Sequence, residues 1–106
     1  MFTRSLSFRL KPNCFAEFTL LIDKEVLPLL RKQKGFQDQM TLVNPQETEA
    51  VAISFWDKKE NADFYNRDAY PGLLKVLAKV IEGTPQVQTY EVCNSTFHKI
   101  AAHVTA

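Results

Sequence analysis

Hydrophobic and polar residues alternate with a period of two from Phe2 to Leu10. Phe2, Leu6, Phe8 and Leu10 fall on one side, and Thr3, Ser5, Ser7 and Arg9 on the other. Successive side chains on a strand point to opposite faces, so this pattern predicts a half-buried β-strand. Lys11-Pro12-Asn13 breaks it, and Asn13 is placed to cap a helix starting at Cys14. From Cys14 to Lys34 the apolar positions Phe15, Phe18, Ile22, Val26, Leu29 and Leu30 recur at helical spacing. Pro28 stands inside that stripe, where its ring and missing N–H predict a kink or a separate last turn. Arg31, Lys32 and Lys34 suit the negative helix end, and Gly35 suits a left-handed cap.

Two more alternating runs come next. Phe36 to Val43 reads as a strand with Phe36, Met40 and Leu42 toward the core, Asn44-Pro45-Gln46-Glu47 as a turn, and Glu49 to Trp56 as a third strand. In that third strand Val51, Ile53 and Phe55 alternate with Ala50, Ala52, Ser54 and Trp56, so both faces are partly apolar. Asp57 and Glu60 form a capping-box pattern opening a short helix that reaches Asn66. Arg67-Asp68-Ala69-Tyr70 interrupts it. Pro71 restarts it at the favoured first position, and Leu73, Leu74, Leu77, Val80 and Ile81 supply a buried stripe up to Gly83. A last strand lies within Thr84 to Asn94, its inward side left open because Val87 and Cys93 lie opposite Tyr90 and Val92. Ser95 or Thr96 is placed to cap a final turn carrying Phe97, Ile100 and Val104.

The order is β-α-β-β-α-β, which predicts an α+β, ferredoxin-like sandwich: a four-stranded antiparallel sheet with helices on one face. Residues 1–94 make the domain and residues 95–106 a C-terminal tail. Two helices cover only one side of such a sheet. The uncovered side is read as Thr3, Ser5, Ser7, Gln37, Gln39, Thr41 and Val43, together with Ala50, Ala52 and Trp56. A Ser/Thr/Gln face can meet water, but Trp56, Val43 and the alanines argue for cover by a second copy.

Bulk properties remove several function classes. A net charge of +1, with cationic pairs set beside acids, gives no electrostatic footprint for nucleic acid. No apolar run approaches the roughly 20 residues needed to span a bilayer, and the alternating N-terminus is not a signal peptide. Cys14 and Cys93 are far apart without a CxxC, as expected of free thiols in a cytoplasmic protein. His98 and His103 are the only histidines; five positions apart, they diverge by roughly 140° on a helix and make no metal pair. Glycine occurs only at 35, 72 and 83, so no phosphate-binding or nucleophile-elbow motif is present.

Two stretches carry a resemblance. Leu27-Pro28-Leu29-Leu30-Arg31-Lys32-Gln33-Lys34-Gly35-Phe36 and Ala52-Ile53-Ser54-Phe55-Trp56-Asp57-Lys58-Lys59-Glu60-Asn61-Ala62 resemble the helix-to-strand and strand-to-helix junctions of antibiotic biosynthesis monooxygenase-like domains. The likeness runs from about residue 2 to residue 94. It implies a dimeric α+β barrel in which two sheets pack face to face. It also implies one of the family's activities, which include cofactor-free oxidation of phenolic polyketides and oxidative haem breakdown. The haem-degrading branch is marked by an Asn on the first strand and a Trp/His pair around the second helix. Here residues 2–10 hold no Asn, residues 57–82 hold no His, and Trp56 precedes the helix. The resemblance therefore stops short of haem, and no cofactor is expected.

In this fold small ligands enter between sheet and helices, beside the interrupted second helix. The residues there are Trp56, Phe64, Tyr65, Arg67, Asp68 and Tyr70. Aromatic walls with a few orienting polar groups are the usual make-up of a small-molecule site. Tyr65, Tyr70 and Arg67 are the candidate catalytic residues, stabilising a phenolate or carbanion that reacts with oxygen, and Trp56, Phe64 and Asp68 the candidate pocket. The plainer account makes Trp56 and Phe64 core, Tyr65 and Tyr70 half-buried edges, and Arg67–Asp68 a surface pair. These residues suit two functions: a cofactor-independent monooxygenase on a small aromatic or quinone-type substrate, or a non-catalytic homodimer that binds a small ligand or serves as an interaction module.

Overall fold

The computed structural model describes residues 1–97. The elements are β1 (Phe2–Leu10), α1 (Phe15–Leu21), a π-helical turn (Ile22–Val26), α2 (Leu27–Arg31), β2 (Phe36–Val43), β3 (Glu49–Trp56), α3 (Lys59–Asp68), α4 (Tyr70–Leu77) and β4 (Ile81–Glu91). The four strands lie in the order β2-β3-β1-β4, each antiparallel to its neighbour. This is the ferredoxin-like plan, with the helices on one face. Phe8 of β1 meets Phe18 of α1 edge-on at 5.6 Å, and Leu6, Leu10, Leu30, Leu73 and Leu77 are buried around them.

The first helix does not end at Pro28. The N–H of Leu27 bonds the carbonyl of Ile22, five residues back instead of four. Proline's ring would strike the carbonyl four residues earlier in a regular helix, and the wider turn just ahead of it relieves that clash. Asn13 does not cap this helix. Its φ is +60°, and Cys14 takes the cap position without a side-chain bond. Asn tolerates the left-handed region, and there it turns the chain out of β1. The Asp57–Glu60 capping box is also absent: Lys58 is the cap residue, and Asp57 Oδ1 accepts a bond from Asn61 Nδ2 at 2.8 Å.

The sheet faces differ from the expected ones in two strands. Opposed residues share a face, and β1 sets which face is covered. Phe2 pairs with Trp56, Leu6 with Ala52 and Phe8 with Ala50, so Trp56 and the alanines lie under the helices. Val51, Ile53 and Phe55 point to the uncovered side instead. A register shift between Phe36 and Asp38 then inverts most of β2. Phe36 stays on the helix side, packed edge-on to Trp56 at 5.7 Å. Met40 and Leu42, opposite Ile53 and Val51, join the open face, while Gln39, Thr41 and Val43 turn toward the helices. A bulge shifts alternation by one residue, so apolar periodicity alone misassigns everything beyond it.

α4 ends at Leu77, and Ile81 already opens β4 opposite Leu10, three residues earlier than the glycine signal indicates. On β4 Val87 and Thr89 share the helix-side face with Leu6 and Arg4, and Tyr90 lies on the open face opposite Thr3. Among the described residues no helix is long and apolar enough to cross a membrane. The tail is described only through Phe97, which is exposed; Ile100 and Val104 of the expected final turn, and His98 and His103, lie outside the described residues.

Candidate functional site

Arg4 occupies an inward position of β1, on the same face as Phe2 and Leu6, between Ser54 of β3 and Thr89 of β4. Only 2% of its surface is exposed. The guanidinium carbon lies 4.0 Å from the centroid of the Tyr70 ring and 5.5 Å from that of Tyr65. Nη2 donates to Asn66 Oδ1 at 2.8 Å. Helix α3 brings Tyr65 and Asn66 down on this spot, and the break at Ala69, where φ is −114°, starts α4 with Tyr70 beside them. Behind them, the Trp56 ring lies 5.0 Å from Tyr65, whose own ring is 6.3 Å from Tyr70. Trp56 Nε1 donates to Ser54 Oγ at 2.9 Å, and Ser54 Oγ reaches the Arg4 carbonyl at 3.4 Å, which fixes the indole to the strand that carries the guanidinium.

The electrostatics are one-sided. The nearby carboxylates are engaged elsewhere: Asp57 with Asn61, Asp63 with Lys59 at 2.8 Å, Asp68 with Arg67 at 2.8 Å. Arg4 is thus a buried cation held by a neutral amide and two ring faces, a cation–π arrangement. Burial pushes the Tyr65 hydroxyl up to about 12, with Arg4 pulling weakly the other way. At neutral pH Tyr65 is therefore a proton-bearing phenol and not a base. The helices leave the edge strand bare: Val87 is 42% exposed and Thr89 is exposed on the face they share with Arg4. Trp56, Tyr65 and Tyr70 are buried, so the cluster packs as part of the core around a cation that can stabilise negative charge.

No family model matches the sequence, and no curated protein matches it. Solved structures match its architecture. A monooxygenase of Streptomyces coelicolor, solved in complex with nanaomycin D, superposes with a TM-score of 0.74 at 16% identity, covering 89% of this chain and 88% of that one. A Bordetella bronchiseptica protein assigned as an antibiotic biosynthesis monooxygenase gives 0.73 at 16% identity, over 86% and 95% of the two chains. A Deinococcus radiodurans protein of the same assignment gives 0.73 at 10% identity over 100% of both. The chain shares the fold of these proteins. At such identities the likeness concerns architecture, and the chemistry has to be argued from this chain's own side chains.

Within this fold the six residues named from sequence divide in two. Trp56, Tyr65 and Tyr70 come together in the stack beneath α3 and α4. Phe64, Arg67 and Asp68 do not join it. The Arg67 guanidinium lies over the Phe64 ring at 4.8 Å and forks onto the Asp68 carboxylate at 2.8 and 3.1 Å, all on the outer face of α3. That pairing raises the pKa of Arg67 and lowers that of Asp68. Asp68 and Ala69 instead border a groove of about 680 Å³ toward Pro28, Leu29 and Gly72, on the flank of the helix break away from Asn66. Arg4, Asn66 and Ser54 are the site members that periodicity passes over. The signal for Arg4 was its place: a charge at an inward position of a strand.

Proposed function

We propose that this chain is a homodimeric, cytoplasmic monooxygenase of this fold type, binding one small hydroxylated aromatic or quinone-type compound beneath α3 and α4 in each copy. The observation that carries this reading is the Trp56–Tyr65–Tyr70 stack capped by Arg4, in a fold whose Streptomyces coelicolor representative was solved with nanaomycin D. A ring of the ligand stacks on Tyr70, entering over Thr89 and Val87. Arg4 stabilises the phenolate, lowering the cost of losing its proton to water. The phenolate is electron-rich enough to reduce oxygen directly. Oxygen joins the ring carbon para to the hydroxyl; that carbon then loses its proton as the O–O bond breaks. A phenol plus O₂ becomes a quinone plus water, with all electrons supplied by the substrate. The free thiols of Cys14 and Cys93 suit a reducing compartment.

The test is oxygen uptake with a panel of hydroxynaphthalenes and anthrones. Wild type consumes one O₂ per quinone formed, and Tyr70→Phe and Arg67→Ala both keep turnover, since stacking needs the ring and Arg67 lies outside the stack. No uptake from any member of the panel overturns the enzyme reading. A second reading, binding without turnover, is favoured by the neighbours of Arg4: Asn66 is a neutral amide, and burial keeps the Tyr65 hydroxyl protonated at neutral pH. It predicts a raised Tm with these compounds and no oxygen uptake.

A further inference from the structure

We infer that a pocket at the Leu10 end of the sheet binds a small sugar or polyol, an uncharged ring carrying several hydroxyls. It lies at the opposite end of β1 from Phe2 and Arg4, so it is independent of the aromatic cluster under α3 and α4. Its volume, about 380 Å³, suits a ligand of a single ring. Two strained residues meet there. Asn13 and Glu47 have φ of +60° and +58°, and among the described residues only glycines share that backbone. They belong to different loops, yet both line this pocket. Asn tolerates the left-handed region; for Glu it is costly, and hairpin loops of this kind ordinarily place Gly or Asn there. Asn44 holds Glu47 in it. The Asn44 carbonyl accepts from the Glu47 N–H at 2.9 Å, and Asn44 Oδ1 accepts from the N–H groups of Thr48 and Glu49 at 2.8 and 2.9 Å. The Leu10 N–H donates to the Thr48 carbonyl at 2.8 Å, which ties the loop to β1. Strain enforced in this way gathers at ligand clamps. Glycine at residue 47 would serve the fold better, so the carboxylate answers a demand other than folding.

The side chains around the pocket select the ligand. Those of Lys11, Asn13, Gln46, Glu47 and Glu82 line it and bond to no other described residue. Lys11 only donates, the two carboxylates only accept, and the two amides do both. A hydroxyl is donor and acceptor at once, so a ring of hydroxyls can engage all three kinds. Arg9 stands between Glu49 and Glu82 in the sheet and bonds Glu49 at 2.9 Å. Arg9 and Lys11 therefore face the three carboxylates of Glu47, Glu49 and Glu82, and the negative excess turns phosphates and carboxylates away. The half-buried Phe15 adds an aromatic wall, on which the C–H face of a sugar ring packs.

The experiment titrates isotope-labelled protein with D-glucose, D-galactose, D-mannose and myo-inositol and follows the backbone amides by NMR. At least one of them should bind in the millimolar range and shift the amides of Asn13, Glu47 and Thr48. The monophosphate ester of that compound should bind about tenfold more weakly or worse. Glu47→Gly relieves the left-handed backbone, so it should raise the urea midpoint while weakening the sugar about tenfold or more, the loss of a bond to a charged group. Asn13→Gly should weaken it in the same direction. Unchanged affinity in Glu47→Gly overturns the inference, as does an equal affinity for the phosphate ester. Amides that stay in place with all four compounds, or that drift evenly over the whole protein as in any concentrated sugar solution, also overturn it.

Discussion

Gly35 and Asp57 close the end of α2 against the start of α3: the Asp57 N–H donates to the Gly35 carbonyl at 2.9 Å, and Gly35 has a φ of +79°. A Cβ added at residue 35 would overlap Asp57 Oδ1 and come within 2.8 Å of Asn61 Cβ. Two demands therefore coincide at one residue, a left-handed backbone and a close approach by α3. Gly35→Ala should cost about 3 kcal/mol, the left-handed penalty plus displacement of the Asp57–Asn61 pair. Gly83 also has a positive φ, +70°, but faces open space. Gly83→Ala should cost only about 1 kcal/mol. Urea denaturation of both variants checks the ranking, and equal losses would mean that the contact with α3 contributes nothing.

The buried Tyr65 hydroxyl makes stability fall at alkaline pH. Its folded-state value is about 12 because burial disfavours the phenolate, against an ordinary value of 10.0 in the unfolded chain. Below pH 10 both states carry the proton and pH has no leverage. Between the two values only the unfolded chain ionises, so stability is lost as pH rises through that window, by up to about 3 kcal/mol. Tyr65→Phe should be less sensitive over the same range by that amount. Thermal unfolding from pH 9 to 12 reads the difference directly; parallel curves for the two proteins would show that the hydroxyl is solvated.

The order of elements along the chain was legible because β1 alternates and Gly35 marks a helix end. The faces of β2 and β3 were not. Val51, Ile53 and Phe55 are larger and more apolar than Ala50, Ala52 and Ser54, so hydrophobicity assigns them inward. The space under the helices, however, is already filled by Leu6, Phe8, Phe18 and Tyr65, and small residues are what fit opposite them. The bulge near Gln37 is likewise invisible to a period-two reading. At the site, the aromatic half was legible from Trp56, Tyr65 and Tyr70. The charged half was not, since Arg67 lies close in sequence while Arg4 arrives from the far end of the chain through strand pairing.

A buried cation with no carboxylate partner among the described residues should lower stability, which makes Arg4→Met informative. Methionine fills similar volume, removes the desolvated charge and can keep a sulfur–aromatic contact with Tyr70. Against this stands the lost cation–π stacking, worth about 1–2 kcal/mol, and the lost bond to Asn66, which lies near enough to solvent to find water. We expect Arg4→Met to fold with stability equal to or above wild type, within about 1 kcal/mol. Chemical denaturation of both proteins provides the check. A loss above about 3 kcal/mol would mark Arg4 as a structural keystone and not a binding residue.

The uncovered sheet face decides the oligomer. Met40 and Leu42 of β2, Val51, Ile53 and Phe55 of β3 and Tyr90 of β4 share that side, with Leu42 51% and Tyr90 55% exposed. The β2 and β3 side chains form one apolar patch, with Tyr90 beyond Thr3, Ser5 and Ser7 of β1 and Phe97 of the tail beside Met40 and Phe55; such a patch is ordinarily covered. A second copy related by a two-fold axis offers a self-complementary patch, and covering about 800 Å² on each chain suffices for a stable pair. Ile53 sits near the middle of it, opposite Ser5 on one side and Met40 on the other. Light scattering should therefore give twice the chain mass for wild type at micromolar concentration. Ile53→Asp should give a folded single chain, because the added charge meets water in the monomer and an apolar surface only in the dimer. Wild type measured as a single chain across that range would refute the pairing of the open faces, and with it the homodimer.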